Sequence, residues 1–151
     1  MSKTLISRSV FEMLIKHLVD VEDEKDRIII EFYPNFTKER DSFQKLIGDY
    51  ISGIESRIYN IETKETEDTP EKELPFVIIG SRVEVENLTY NEAEVFQIIS
   101  PFTNESGINW DCASYLSPLG KEMLLKSIGD EVKIDTPAGK VIYTIKNIKL
   151  T

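Results

Sequence analysis

Cysteine, histidine and tryptophan occur once each in this chain of 151 residues. A lone Cys112 permits no internal disulfide and no thiolate cluster for a metal; its run reads as strand, with the cysteine as a small hydrophobe. A lone His17, placed among solvated positions of its segment, offers neither a histidine metal site nor a catalytic pair. Long apolar runs are missing too: Ile28-Ile29-Ile30 and Phe76-Val77-Ile78-Ile79 are far too short to cross a bilayer. Met1-Ser2-Lys3-Thr4 does not open a secretory leader, so a cytoplasmic location is expected. Basic residues are few, 18 against 27 acidic, for a net charge of −9. That deficit argues against a free-standing DNA or RNA binder, which normally needs a basic face to displace counterions. It leaves open a partner that itself holds nucleic acid. The chain also lacks a nucleophile elbow, a phosphate loop and a paired-cysteine motif. An enzyme with its own complete active site is not expected.

The acid is uneven: residues 1–75 carry 11 basic and 17 acidic side chains, the remainder 7 and 10. This first half shows helical periodicity. From Ser7 to about Phe32 apolar residues recur at steps of three and four: Phe11, Leu14, Leu18, Val21, then Lys25 as a break, then Ile28 and Phe32. Such an a/d seam lays one helix along another. Ser7 or Ser9 is the candidate cap. Pro34 stops the helix, because the residue before a proline is pushed out of the α region. A second pattern runs from about Thr37 to Glu62 on Phe43, Ile47, Tyr50 or Ile51, Ile54, Ile58 and Ile61. Two arms of roughly 25 residues, each roughly 35–40 Å long, make an antiparallel hairpin over residues 1–62. Neither arm has an apolar face wide enough for a globule interior, so the hairpin is expected to project. Gly48 and Gly53 in the second arm read as points of close helix approach.

Residues 63–75 hold five acids, two lysines and two prolines, the composition of a solvated linker. After Pro75 the period changes. Arg82–Glu86 and Glu131–Asp135 alternate strictly, as half-buried strands do. Glu94–Ile99, Asp111–Leu116 and Val141–Ile148 are further strands, with Leu88–Glu92 as a hairpin loop. Ser117-Pro118 has the cap-then-proline signature of a helix start, and that short helix runs to about Ser127. Thr136-Pro137-Ala138-Gly139 forms a tight turn. Residues 76–151 thus read as a small mixed sheet crossed by one helix, and the whole chain as α+β. Phe96, Phe102, Trp110 and Tyr143 read as core or edge packing, since basic residues do not interleave with them.

The order hairpin, linker, mixed sheet, with Ser117-Pro118-Leu119-Gly120-Lys121, Gly129-Asp130-Glu131-Val132 and Thr136-Pro137-Ala138-Gly139-Lys140, resembles the bacterial GreA/GreB transcription elongation factors. Gly80-Ser81-x-Val83 at the head of the sheet matches that likeness. The resemblance implies an FKBP-like C-terminal domain docking on bacterial RNA polymerase at the mouth of its secondary channel. It further implies a coiled-coil hairpin reaching down the channel toward the catalytic Mg²⁺. In the family, acidic tip residues help hold a second Mg²⁺ and a water, and the polymerase then cuts backtracked RNA. Carboxylates suit this role as hard oxygen ligands, with the second metal activating the water. Such a factor is no enzyme itself, has no cofactor or metal of its own, meets nucleic acid only inside the elongation complex, and is expected as a monomer.

Aligned on Ile54-Glu55-Ser56-Arg57-Ile58, the two acidic tip positions of the family read Thr37 and Arg40 here. Nearby acids are Glu31, Glu39 and Asp41, and the tip candidates are Glu39 and Asp41. Being two apart, they diverge by about 200° on a helix and share one metal only in an irregular tip. The polymerase-docking candidates are Leu116, Ser117, Pro118 and Gly120, with Leu116 where the family often carries an acid or amide. Three readings follow: a GreA/GreB-type regulator with cleavage stimulation in doubt, a Gre-like or Rnk-like polymerase inhibitor, and a peptidyl-prolyl isomerase suggested by the FKBP-like fold. The arm length counts against the shorter-hairpin Rnk type. The third reading needs a concave aromatic pocket.

Overall fold

The computed structural model describes residues 4–64, 72–103 and 111–150. They fall into two compact units, Met1–Glu67 and Asp68–Thr151.

In the first unit, β1 (Thr4–Ser7) leads into α1 (Arg8–Phe32), then α2 (Lys38–Ile58) and β2 (Ile61–Lys64). Ser7 caps α1, its Oγ accepting from the Val10 N–H at 3.2 Å, which satisfies one of the donors a helix start leaves unpaired. The helix ends ahead of Pro34, with the Tyr33 N–H still bonded to the Ile29 carbonyl. Thr37 caps α2 in the same way through the Arg40 N–H. Val10, Leu14, Val21 and Ile28 are buried on α1; Phe43, Ile47, Tyr50, Ile51 and Ile54 are buried on α2. His17 meets Tyr50, while Tyr33 stacks on Phe43 at 5.1 Å between centroids. Partners thus climb one helix as they descend the other, as an antiparallel hairpin requires.

The seam of α1 keeps Leu14, Val21 and Ile28 of the expected line and differs at its other positions. Val10 is buried with them, His17 is half-buried and bonded to Tyr50, Phe11 and Leu18 are half-buried, and Phe32 is exposed. His17 therefore belongs to the seam and not to the solvated face. α2 also stops earlier than Glu62. The Asn60 side chain donates to the Ser56 carbonyl, the chain turns at Tyr59-Asn60, and Ile61 pairs with Thr4 at the start of a parallel β1–β2 ladder. That ladder takes up backbone groups that would otherwise extend the helix. Gly48 is not a point of close approach, since a Cβ there meets nothing within 4 Å. Of the stretch read as linker, residues 65–71 lie outside the described residues; Thr63-Lys64 before them fall in β2, and Lys72-Glu73 after them form β3 (Lys72–Glu73).

The second unit is a curled sheet ordered β3-β8-β4-β5-β6, with β7 on β8. Its strands are β4 (Arg82–Asn87), β5 (Glu92–Ile99), β6 (Asp111–Ser114), β7 (Glu131–Thr136) and β8 (Gly139–Leu150). All pairings are antiparallel except β5–β6, so the sheet is mixed. Alternation sets the faces: Val83, Val85 and Asn87 point in from β4, and Val132 and Ile134 from β7. With Phe96, Ile98, Tyr115, Met123, Ile145 and Ile148 they make the core. The one register shift opposite β4 leaves Lys146 as an extra residue on β8, and its Nζ lies 3.3 Å from Glu86.

α3 (Pro118–Met123) is shorter than expected. The Leu125 N–H bonds to the Val77 carbonyl and the Val77 N–H to the Lys126 carbonyl, so this exchange with the 74–78 segment draws the backbone out of the helix. Leu125 takes φ +69°, a left-handed conformation that few non-glycine residues adopt. β6 ends at Ser114, not Leu116, because the Ser114 carbonyl is taken by the Ser117 N–H and hydroxyl. Cys112 is exposed, not a core hydrophobe. Phe96 is buried against Tyr143, and Phe102 packs near Tyr115; Trp110 lies outside the described residues. No helix among the described residues is long and apolar enough to cross a membrane.

Candidate functional site

The hairpin tip is built by a stop and a start. Pro34 ends α1, and Thr37 begins α2 four residues after Tyr33. Glu39 and Asp41 both fall in the first turn of α2, and both are exposed. The tip is therefore helical at these positions. The two carboxylates diverge by about 200° around the axis and do not converge on one point. No group of three or more His, Cys, Asp or Glu side chains suited to a metal occurs among the described residues.

Between them sits Arg40, which lies over the ring of Phe36 at 4.4 Å from the centroid. The Arg40 Nε is buried without a hydrogen-bond partner. Phe36 itself is 92% exposed. A glutamate at the Arg40 position would complete a capping box with Thr37; the arginine cannot, because it has no acceptor for the Thr37 N–H.

The docking candidates cluster at the start of α3. Ser117 Oγ accepts from the Gly120 N–H at 3.1 Å and donates to the Ser114 carbonyl at 2.7 Å. Pro118 occupies the first helical turn and is exposed. Gly120 is buried, and a Cβ there would collide with the Ser114 carbonyl and lie 2.9 Å from Tyr115 Cα. Leu116 is half-buried, its N–H donating to Ser114 Oγ. Ser117 and Gly120 are thus committed to holding α3 on β6, and Leu116 and Pro118 are the members with surface to offer.

Residues 71–150 match the family described as "Transcription elongation factor, GreA/GreB, C-term". The chain belongs to the GreA/GreB family. The matched stretch takes in every strand of the second unit and α3. The transcription elongation factor GreA of Francisella philomiragia is 32% identical over 106 residues, 70% of this chain and 64% of that protein. The chain thus matches a little under two thirds of that relative's length. The GreA of Nitratidesulfovibrio vulgaris is 26% identical over 98% of this chain and 96% of its own. Among solved structures, the GreA/GreB factor of Nitrosomonas europaea aligns with 97% of this chain and 98% of its own at 21% identity and a TM-score of 0.47.

Within this GreA/GreB chain a third feature is a hollow of about 430 Å³ on the sheet, lined by Glu84, Glu86, Glu92, Glu94 and Lys146 among others. Carboxylates and small residues line it, not the aromatic side chains a prolyl-isomerase pocket needs.

Sequence reasoning missed two pairs. One is Phe36 with Arg40, whose signal was the four-residue spacing across the Thr37 cap. The other is His17 with Tyr50, where His17 Nε2 lies 2.7 Å from the tyrosine oxygen. Its signal was the heptad line through Val10, Leu14 and Val21, which passes through position 17. Burial holds the His17 pKa below its ordinary value, with Asp20 opposing part of the shift.

Proposed function

We propose that this GreA/GreB-type chain binds bacterial RNA polymerase, places its hairpin in the secondary channel, and occupies that channel without stimulating transcript cleavage. The observation that carries the reading is the tip itself. Glu39 and Asp41 diverge on a regular helical turn, and a cation stacked on Phe36 stands between them. Two-metal hydrolysis needs carboxylate oxygens that converge on the second ion. A fixed guanidinium at that point opposes the ion. On this reading the chain has no active site, cofactor or metal of its own, and the only Mg²⁺ involved belongs to the polymerase.

Support for docking comes from the α3 start, where Leu116 and Pro118 are held by the Ser114–Ser117–Gly120 hydrogen bonds. Arms of 25 and 21 residues favour a channel-reaching hairpin over the shorter Rnk-like form. The charge of −9 is consistent with meeting nucleic acid only through the polymerase.

A stalled, backtracked elongation complex tests this. Binding to the complex with no transcript shortening is expected. Rapid shortening that Glu39→Ala with Asp41→Ala abolishes would show a working carboxylate tip and overturn the cleavage part. No binding would overturn the whole.

A further inference from the structure

The turn between β4 and β5 carries an aromatic side chain that its own fold does not use. Tyr90 is 57% exposed. Among the described residues its ring makes no stacking contact and its hydroxyl no hydrogen bond. The turn beneath it is nevertheless fixed. Asn87, 4% exposed, accepts the Thr89 and Tyr90 N–H groups on its Oδ1 at 3.0 and 3.1 Å. The Leu88 N–H donates to the Ile142 carbonyl, and the Ile142 N–H donates to Thr89 Oγ1.

The same asparagine reaches across to β5. Its Nδ2 donates to Glu94 Oε2 at 2.9 Å, so one buried side chain orients both the turn and a carboxylate. Register puts Tyr143 of β8 opposite Asn87, and alternation puts Glu94 and Phe96 on that same face. Tyr143 is half-buried and meets Phe96 edge to face, with centroids 6.0 Å apart. Burial first, then the Glu94 carboxylate and Tyr90, hold its pKa above the ordinary 10. Among the described residues Glu94 enters no ion pair. Lys146 pairs instead with Glu86, which alternation puts on the opposite face.

A half-buried carboxylate without a countercharge, two phenol oxygens and the tyrosine rings make a negatively charged, acceptor-rich notch. Glu94 would repel an anion, as would Glu92, which register places on the same face. A divalent metal needs more hard oxygen ligands than one carboxylate and two neutral phenols supply. A guanidinium matches the notch on each count. It carries five donors and no acceptor, its plane lies flat on tyrosine rings, and its charge answers the lone carboxylate. The pinned turn also means that little order has to be bought on binding.

We propose that the β4–β5 turn end of the second unit is a docking notch for an arginine side chain of a protein partner, its guanidinium on Glu94 and against the Tyr90 and Tyr143 rings. The contact is distinct from docking at the start of α3. Ser114, on which α3 is held, pairs with Ile99, five residues along β5 from Glu94 and so about 17 Å away. The notch does not depend on the channel placement proposed above.

The full-length protein is titrated with the tripeptide acetyl-Gly-Arg-Gly-amide while the Tyr90 and Tyr143 ring resonances and the Asn87 side-chain amide are followed. Saturating shifts confined to these groups, weakening as salt rises, are expected. The lysine tripeptide should bind more weakly, and the glutamine tripeptide should cause no saturating shift. Free L-arginine should bind more weakly than the arginine tripeptide, because its own carboxylate meets Glu92 and Glu94. Glu94→Gln should weaken binding of the arginine tripeptide about tenfold and Tyr90→Ala about threefold, whereas Tyr90→Phe should keep most of it. Glu84→Gln, on the opposite face, should leave it unchanged. No saturating shift, or equal binding by Glu94→Gln with an unchanged fold, would overturn the notch. Equal or tighter binding of the lysine tripeptide would overturn the guanidinium assignment, and tighter binding of free L-arginine would overturn the protein partner.

Discussion

His17 Nε2 lies 2.7 Å from the hydroxyl oxygen of Tyr50, joining the two helices midway along their seam. The rings meet edge to face with centroids 6.0 Å apart. A polar pair inside an otherwise apolar seam fixes register, because any slip along the helices strands both groups away from water.

His17 Nε2 and the Tyr50 hydroxyl share a hydrogen bond whose direction follows the imidazole tautomer, and Tyr50→Phe should leave the ring nitrogen without that partner. A loss of about 1–2 kcal/mol in the first unit is expected. Replacing both together, His17→Leu with Tyr50→Phe, should cost much less. Amide exchange along α1 and α2 in the full-length protein distinguishes these outcomes.

The same pair sets a pH dependence. The folded-state pKa of His17 is held below its ordinary 6.5 by burial, so the unfolded chain takes the proton first as pH falls. Stability from this group is complete above about pH 6.5 and declines below it until the folded pKa is passed. Because His17 is the sole histidine, the His17→Leu, Tyr50→Phe protein should lose that dependence. Thermal unfolding between pH 7.5 and 5.5 checks it.

Gly48→Ala should stabilise α2 by roughly 0.5–1 kcal/mol, since the helix interior disfavours glycine and a Cβ there meets open space. Chemical unfolding monitored in the first unit reads the gain.

At α3 the same substitution should have the opposite effect. Gly120→Ala drives a methyl into the Ser114 carbonyl, and about 2 kcal/mol or more of the second unit's stability should be lost, with α3 displaced from β6. Ser117→Ala should cost about 1 kcal/mol by removing the cap and its bond to Ser114. If the α3 start docks on polymerase, both should weaken binding, and Leu116→Lys, of the opposite charge to the acid the family often carries there, should do so without loss of stability. Unfolding and polymerase-binding titrations on the three variants separate these effects.

The fold was legible where a single period dominates. Strict alternation at Arg82–Glu86 and Glu131–Asp135 placed β4 and β7, and Pro34 placed the hairpin turn. In the α1 seam Leu14, Val21 and Ile28 were legible, while Val10 and His17 were passed over because Phe11 and Leu18 are the larger hydrophobes beside them. The parallel β1–β2 pair was invisible, since its four-residue strands gain stability only from each other and from neighbouring packing. α3 looked longer than it is because Leu124 and Leu125 suit a helix, while backbone exchange with Val77 decided their conformation. At the tip the sequence showed which acids were present. It did not show that Thr37 would hold them on a regular turn or that Arg40 would lie on Phe36.

Competition with a cleavage-competent GreA on one backtracked complex tests the central claim most directly. With GreA fixed and this protein titrated in, transcript shortening should fall to the unstimulated rate, and the protein alone should cause none. Undiminished shortening at saturating protein, or shortening by the protein alone, would contradict the account.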